Sequence, residues 1–220
     1  MKGTGKLAAA SLFVLLSAAS ASAQMMRGGP PPLGGVWNPV VGHGAAYEVT
    51  RDGGKKEELE ITVVGKEPVD GRDGYWLEMA MNNSEMGGRM VLKFLFVLDG
   101  QETRSVKTIM QMPGRPPMEM PAQMTQHQHT SQSADMRTGA QDLGSESVTV
   151  PAGTFTCEHY RTKDGSEAWL ANEVSPWGAV KYQGKESTMV LVKVISDAKD
   201  KIVGTPQPFN PATMGRPPQQ

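Results

Sequence analysis

The sequence of 220 residues contains a single cysteine, Cys157. No disulfide can form within the chain, even in an oxidising compartment, so stability must come from the core. A membrane-spanning helix needs roughly 20 apolar residues, and no run of that length occurs, so we expect no transmembrane segment. Lysine and arginine number 22 against 23 aspartates and glutamates. That balance predicts no polyanion-binding surface, and we expect no nucleic-acid partner.

The motifs of common enzyme chemistries are also missing. The chain has no Gly-rich phosphate loop, zinc-ligand pattern or serine nucleophile elbow. Asp142, Glu146 and Glu158 supply carboxylates, but their spacing does not pair them for glycoside hydrolysis. We therefore expect a protein that is not an enzyme and that uses no cofactor.

Residues 1–23 fit the pattern of a cleavable signal peptide. Lys2 and Lys6 give a positive start, residues 7–19 form an apolar run, and Ala21-Ser22-Ala23 is a small-residue cleavage site. No cysteine lies near that site, which disfavours a lipid anchor. Cleavage after Ala23 removes two of the 22 basic residues, which leaves 20 against 23 acids and a formal net charge of −3. The sequence predicts an exported protein, periplasmic or secreted.

Proline and glycine mark the ends of the remaining chain. We expect a disordered or extended N-terminal segment at 24–44, a β domain at 45–200 with an irregular loop at 113–140, and a disordered Pro-rich tail at 201–220. The sequence does not determine the oligomeric state.

Within the β domain, apolar residues recur with a period of two, and turn residues separate the segments. Leu59, Ile61 and Val63 alternate with polar residues, for example, and Asp-Gly pairs such as Asp99-Gly100 predict tight turns. The predicted strands lie near 46–50, 57–64, 75–81, 89–98, 105–112, 146–150, 154–162, 166–170, 178–183 and 187–195.

This many strands with short connections predicts a mostly β protein, built as a single curved antiparallel sheet or an incompletely closed barrel. A short helix or a loop is a candidate cover for its concave face. The fourth predicted strand is apolar on both sides, because Val91, Leu95 and Val97 lie opposite its main apolar face and only Lys93 interrupts them. A helix or a tail is therefore expected over that second side.

The second half of the chain resembles a family of secreted bacterial domains of unknown function. The resemblance lies in residues 150–157 (VPAGTFTC), 168–170 (AWL) and 174–181 (VSPWGAVK), and it extends loosely over 45–195. Those domains distantly resemble the LolA and LppX lipoprotein-carrier fold, an incompletely closed antiparallel barrel around an apolar cavity. The resemblance implies a hydrophobic ligand, such as a lipid or an acyl group.

The candidate ligand-binding residues lie on the apolar faces of predicted strands. They are Leu77, Met79, Leu92, Phe94, Phe96 and Trp169. Trp76 and Trp177 are further aromatic candidates for stacking, although single aromatic residues on strands more often fill the core.

Two alternative functions stay open at this point. The loop at 112–136 is rich in methionine and histidine, and Met120, Met124, His127 and His129 offer thioether and imidazole ligands suited to copper. An envelope protein that binds copper is therefore an alternative hypothesis. The third hypothesis is an interaction module that presents its Pro-rich tails to partners.

Cys157 and His159 lie two residues apart, so both project from one face of a strand. Such a pair can form an activated thiolate. A lone cysteine that alternates with Phe155 is more often a small buried apolar residue, and we favour that interpretation.

Overall fold

The alternating segments fold into β-strands of one continuous sheet. The computed structural model describes residues 37–83, 87–99, 102–121, 137 and 139–210. In those residues there are twelve strands: β1 (Gly44–Arg51), β2 (Lys56–Val69), β3 (Arg72–Asn83), β4 (Gly88–Asp99), β5 (Glu102–Gln111), β6 (Met118–Glu119), β7 (Gln141–Val150), β8 (Gly153–Arg161), β9 (Glu167–Leu170), β10 (Ala179–Gln183), β11 (Ser187–Ile195) and β12 (Gln207–Pro208).

The strand order is β12-β6-β5-β4-β3-β2-β1-β11-β10-β9-β8-β7. Every neighbouring pair is antiparallel except β12 and β6, which are parallel. Cα atoms of β7 approach within 8 Å of β11, although three strands separate the two in the sheet, so this half curls back on itself. The edge strands β7 and β12 do not pair with each other. The prediction of a single curved, incompletely closed sheet is confirmed.

Register explains why one face of the sheet forms the core. Ile61 on β2 lies opposite Ala45 on β1 and opposite Met79 on β3, so apolar side chains meet across consecutive strands. Tyr47 is buried at the centre of this inner face, and its hydroxyl donates a hydrogen bond to the Ala179 carbonyl at 3.1 Å. Burial holds the pKa of the Tyr47 phenol well above its ordinary value. The inner face thus excludes water from the Tyr47 phenol.

The ten predicted strands are all present, and their bounds shift by a few residues. The prediction omitted β6 and β12, because two residues cannot show a period of two. β6 lies within the predicted irregular loop, where the Met120 N–H donates to the Thr108 carbonyl at 2.9 Å. The described part of the chain contains no helix, and therefore none that is long and apolar enough to cross a membrane.

Residues 37–43 run in an extended form into β1. The Gly42 N–H donates to the Val63 carbonyl and the Val63 N–H to the His43 carbonyl, at 2.7 and 2.8 Å. At the other end of this segment, the Asn38 N–H donates to the Pro176 carbonyl at 2.8 Å. The Ser175–Pro176 peptide bond is cis. The predicted signal peptide lies outside the described residues.

Residues 196–210 form a segment that we name the C-terminal strap. It crosses the face opposite the core, from the Gly42 carbonyl, which accepts from the Ala198 N–H at 2.8 Å, to β6, which pairs with β12. Residues 201–210 were expected to be disordered, and that expectation is wrong for them, because they contact β2, β3, β5 and β6. The rest of the predicted tail, 211–220, lies outside the described residues.

The approach of β1 to β2 gives a test of this register. A Cβ atom at Gly44 would lie 2.2 Å from the Ile61 carbonyl oxygen, which is backbone and cannot move aside. Gly44→Ala should therefore lower the free energy of unfolding by about 2 kcal/mol or more in urea denaturation, as overpacking does. Gly65→Ala is the matched control, since its Cβ would meet only the Trp76 side chain at 3.6 Å. Equal effects of the two substitutions would contradict the register of β1 and β2.

Candidate functional site

Five of the six predicted ligand-binding residues lie together on the inner face of β3 and β4. Leu77 faces Phe94 across the two strands, and Met79 faces Leu92. Phe96 follows on the same side of β4, with its ring stacked on that of Phe94 at 5.5 Å between centroids. Four of the five side chains are between 0 and 7% exposed, and Leu92 is half-buried. These residues therefore form a wall of the core, and most of their surface is already covered.

The accessible part of this wall lies at one end, where aromatic rings cluster. Trp37 contacts Tyr75 and Phe96 edge-on, with ring centroids 6.3 and 6.0 Å apart, and contacts Trp177 in a tilted arrangement at 5.4 Å. Trp37, Tyr75 and Trp177 are half-buried, while Phe96 is buried. We name these four residues the aromatic end. It joins the N-terminal segment, two strands and the loop before β10.

Phe96 and Trp177 were predicted from the sequence, whereas Trp37 and Tyr75 were not. Tyr75 belongs to the same alternating face as Leu77, so its position was available from the period of β3. Trp37 lies in a segment rich in glycine and proline, and only the folded chain brings it to Tyr75. Sequence alone gives no signal for such a long-range contact.

A charged pair lies beside the aromatic end. Lys66 is opposite Tyr75 in the β2–β3 register, and its Nζ lies 5.5 Å from the centre of the Tyr75 ring. The same Nζ contacts Asp73 Oδ2 at 2.8 Å, and this hydrogen bond holds the pKa of the Lys66 ammonium above its ordinary value. Both groups are largely exposed, so the pair contributes little to stability. It places polar groups at the border of an apolar surface.

Trp169, the sixth predicted residue, lies on the other face of the sheet. Its neighbours Ala168 and Leu170 share the inner face with Tyr182, and alternation turns Trp169 away from it. The indole stacks on the His159 ring at 4.3 Å between centroids, and Lys181 Nζ lies 4.2 Å from its centre. Its Nε1 donates to Glu146. Trp169 is therefore part of a cross-strand ladder across β7 to β10, and its buried side chain belongs to the same hydrophobic core cluster as Leu77 and Phe94.

The charged groups around this ladder satisfy one another. His159 contacts Glu146 through Nδ1 at 3.0 Å and Glu167 through Nε2 at 3.3 Å. Arg161 binds the second oxygen of Glu167 with Nε at 2.7 Å and Nη2 at 2.6 Å, and this hydrogen bonding holds the pKa of the Glu167 carboxyl below its ordinary value. The arrangement is that of a structural network across β7, β8 and β9.

Cys157 does not form an activated pair with His159. Its side chain is fully buried, and its Sγ lies near the Phe155 carbonyl at 3.9 Å. Burial, aided by the charges of Glu173 and Glu146, raises the pKa of the thiol to about 11. A nucleophilic cysteine needs the opposite shift, since only the thiolate reacts. The packing interpretation of Cys157 therefore fits the structure.

Of the predicted copper ligands, only Met120 belongs to the described residues. It follows β6 and is half-buried. Met124, His127 and His129 lie outside the described residues. In the part of the chain that the structure describes, no group of three or more His, Cys, Asp or Glu side chains is arranged to hold a metal ion. The copper site stays a prediction.

Comparison with known proteins gives two structural likenesses. No protein-family model matches the chain, and no curated protein matches it. One similar structure is an inferred exported protein with a YmcC-like fold from Bacteroides fragilis, at 14% identity and a TM-score of 0.36, covering 73% of this chain and 99% of that one. Another is an inferred lipoprotein from Parabacteroides distasonis, at 12% identity and 0.36, covering 73% and 98%. Likenesses this weak carry no argument about function, and the lipoprotein-carrier resemblance stays a prediction.

The burial of Cys157 predicts a thiol that does not react in the native protein. At pH 8, a thiol with its pKa near 11 in place of the ordinary 9.0 carries about a hundredfold less thiolate, so modification by a disulfide reagent should slow at least that much relative to the urea-unfolded chain. The control is the double variant Cys157→Ala, Ser147→Cys, which places the thiol on the exposed side of β7. Native Cys157 that reacts as fast as this control would contradict the burial.

Proposed function

We propose that this chain is an exported, non-enzymatic domain that binds a hydrophobic ligand with an acyl chain at the aromatic end of its inner face. The proposal is supported by the contact of half-buried aromatic rings with one end of the continuous apolar wall on β3 and β4. Trp37, Tyr75 and Trp177 are partly open to solvent, and Phe96 connects them to Phe94 and Leu77.

The chemistry of this surface suits an apolar ligand. Ligand sites are typically lined by hydrophobic and aromatic side chains with a few polar groups that fix orientation. Here the polar groups are Lys66 and Asp73, which contact each other at the border of the Tyr75 ring. An acyl chain would lie against the rings, and its polar end would remain near this charged pair and the solvent.

The burial of the inner wall limits how such a ligand binds. Leu77, Met79, Phe94 and Phe96 expose at most 7% of their surface, so a ligand reaches them only if a side chain packed on them moves, and Trp37 packs on Phe96 and on Trp177. Both tryptophans belong to segments outside the strands, namely residues 37–43 and the loop between β9 and β10. The proposal therefore assigns the access route to these two segments rather than to the sheet.

The proposal predicts saturable binding of a fluorescent long-chain fatty acid to the full mature chain. Trp37→Ala and Trp177→Ala should each weaken this binding about three- to tenfold, because an aromatic contact contributes about 0.5–1.5 kcal/mol beyond its buried area. The measurement is a fluorescence titration, together with extraction of any lipid that copurifies with the protein.

Trp76→Ala is the matched control. Trp76 lies on the outer face, where its Nε1 donates to Glu67 at 2.9 Å and Lys93 Nζ lies 4.9 Å from its ring. Removal of this ring should leave the affinity unchanged. Absence of saturable binding in the unmodified protein would refute the proposal, and so would equal weakening by Trp76→Ala and Trp177→Ala.

A further inference from the structure

The outer face of β3 carries a carboxylate that is completely shielded from water in the strapped molecule. Glu78 has no exposed surface, and its two carboxylate oxygens accept the Lys201 backbone N–H at 2.8 and 3.0 Å. Transfer of a carboxylate out of water favours its neutral form. Burial accordingly raises the pKa of Glu78 above its ordinary value of 4.5, although the hydrogen bond and the charges of Lys201 and Lys93 act in the opposite direction.

The groups that face Glu78 come from every element packed against it. Lys93 lies opposite on β4 and pairs with Asp200 of the strap. Lys201 Nζ reaches back to Glu60 on β2 at 2.7 Å. Thr62 lies opposite on β2, and its buried Oγ1 has no hydrogen-bond partner among the residues that the structure describes. An uncharged Glu78 carboxyl has a proton to donate in these polar surroundings, whereas a charged one can only accept.

Polar contacts hold the strap to the sheet, and none of its own side chains is fully buried, although Ile202 and Phe209 are half-buried. The Gln111 side chain accepts the Val203 N–H and donates to the Val203 carbonyl, both at 2.9 Å. The Val203 side chain itself is 75% exposed. β12 pairs with β6 over two residues only. A segment with few buried apolar contacts opens at a lower free energy than the core strands do.

We propose that the strap, residues 196–210, detaches from the sheet as a unit and that acid favours its attached state, because Glu78 leaves water only when the strap is attached. This inference does not depend on the proposed ligand. Detachment would return the Glu78 carboxylate to water on the outer face of β3.

The direction of the pH effect follows from the shift of Glu78. Its pKa is raised in the attached state and returns towards 4.5 when the strap opens and water reaches the carboxylate. The open state therefore binds fewer protons than the attached state above pH 4.5. Attachment of the strap is strongest at the acid end of this range. As the pH rises through the raised pKa of Glu78, the equilibrium constant for attachment falls by at most about tenfold per pH unit for a single group.

Hydrogen exchange measured by mass spectrometry on the full chain tests this directly. Protection of the peptide that covers 196–210, corrected for the intrinsic exchange rate, is compared between pH 5 and pH 8. We expect this protection to fall as the pH rises, by no more than about tenfold per pH unit. In Glu78→Gln, which keeps an acceptor oxygen and carries no charge, protection should stay at the acid level across the range.

Two further variants separate the effect of Glu78 from other causes. The Glu58 carboxylate lies on the same face of β2 as Thr62 and accepts a hydrogen bond from the Asn82 side chain. Glu58→Gln should keep the pH dependence of strap protection. Gln111→Ala removes both bonds to Val203 and should lower strap protection equally at both pH values.

Three results would overturn the proposal. The first is strap protection that does not change with pH in the unmodified protein. The second is a pH dependence that survives in Glu78→Gln. The third is strap protection as high as that of β2 and β3, which would show that the strap opens only when the whole sheet unfolds.

Discussion

A single layer of strands has two faces, and in this molecule both bury apolar side chains around β4, where Phe94 lies on the inner face and Val91 and Leu95 lie on the outer face. That constraint governs the rest of the structure, because the described residues contain no helix and other segments of the chain must cover each face of the sheet. Curling of the half from β11 to β7 brings part of the inner face together around Tyr47. The aromatic end closes one side of it, and the C-terminal strap lies over the outer face.

The two covers are held in different ways. Trp37 docks on the inner face through ring contacts, and its segment continues directly into β1, so its hydrogen bonds extend those of the sheet. The strap instead crosses the strands over residues 196–206, where a regular hydrogen-bond ladder cannot form, and it pairs with β6 only at β12. Its backbone groups must still find partners, and side chains of the sheet supply them: Glu78 accepts one N–H, and Gln111 binds both groups of Val203. The buried Glu78 is thus the consequence of anchoring an irregular segment on an apolar face.

The sequence predicts the parts of this fold that depend on local pattern. Alternation located all ten long strands, and the apolar character of Val91, Leu95 and Val97 indicated that something covers the back of β4. It did not identify the cover, because residues 201–210 are rich in proline and glycine and become ordered only through contacts with distant strands. β6 and β12 are too short to carry a pattern.

In the candidate site, too, local pattern predicts some residues and only tertiary contacts bring in the others. Leu77, Met79, Leu92, Phe94 and Phe96 share a face because β3 and β4 pair in register, and their period of two was visible in the sequence. Trp169 was grouped with them by residue type, yet register places it on the opposite face, between His159 and Lys181. Alternation divides a strand into two sets of residues but does not say which set faces the core. Trp37 joins the site only through tertiary contacts.

The central claim is that the C-terminal strap covers the outer face of the sheet, and a zero-length carbodiimide cross-linker tests it most directly. This reagent joins an amine to a carboxylate that already touch. The structure predicts cross-linked peptides that connect Lys93 to Asp200 and Lys201 to Glu60, with Lys107 to Glu119, 3.1 Å apart between β5 and β6, as the internal standard. Formation of the standard without either strap cross-link, as read by mass spectrometry, would contradict the account.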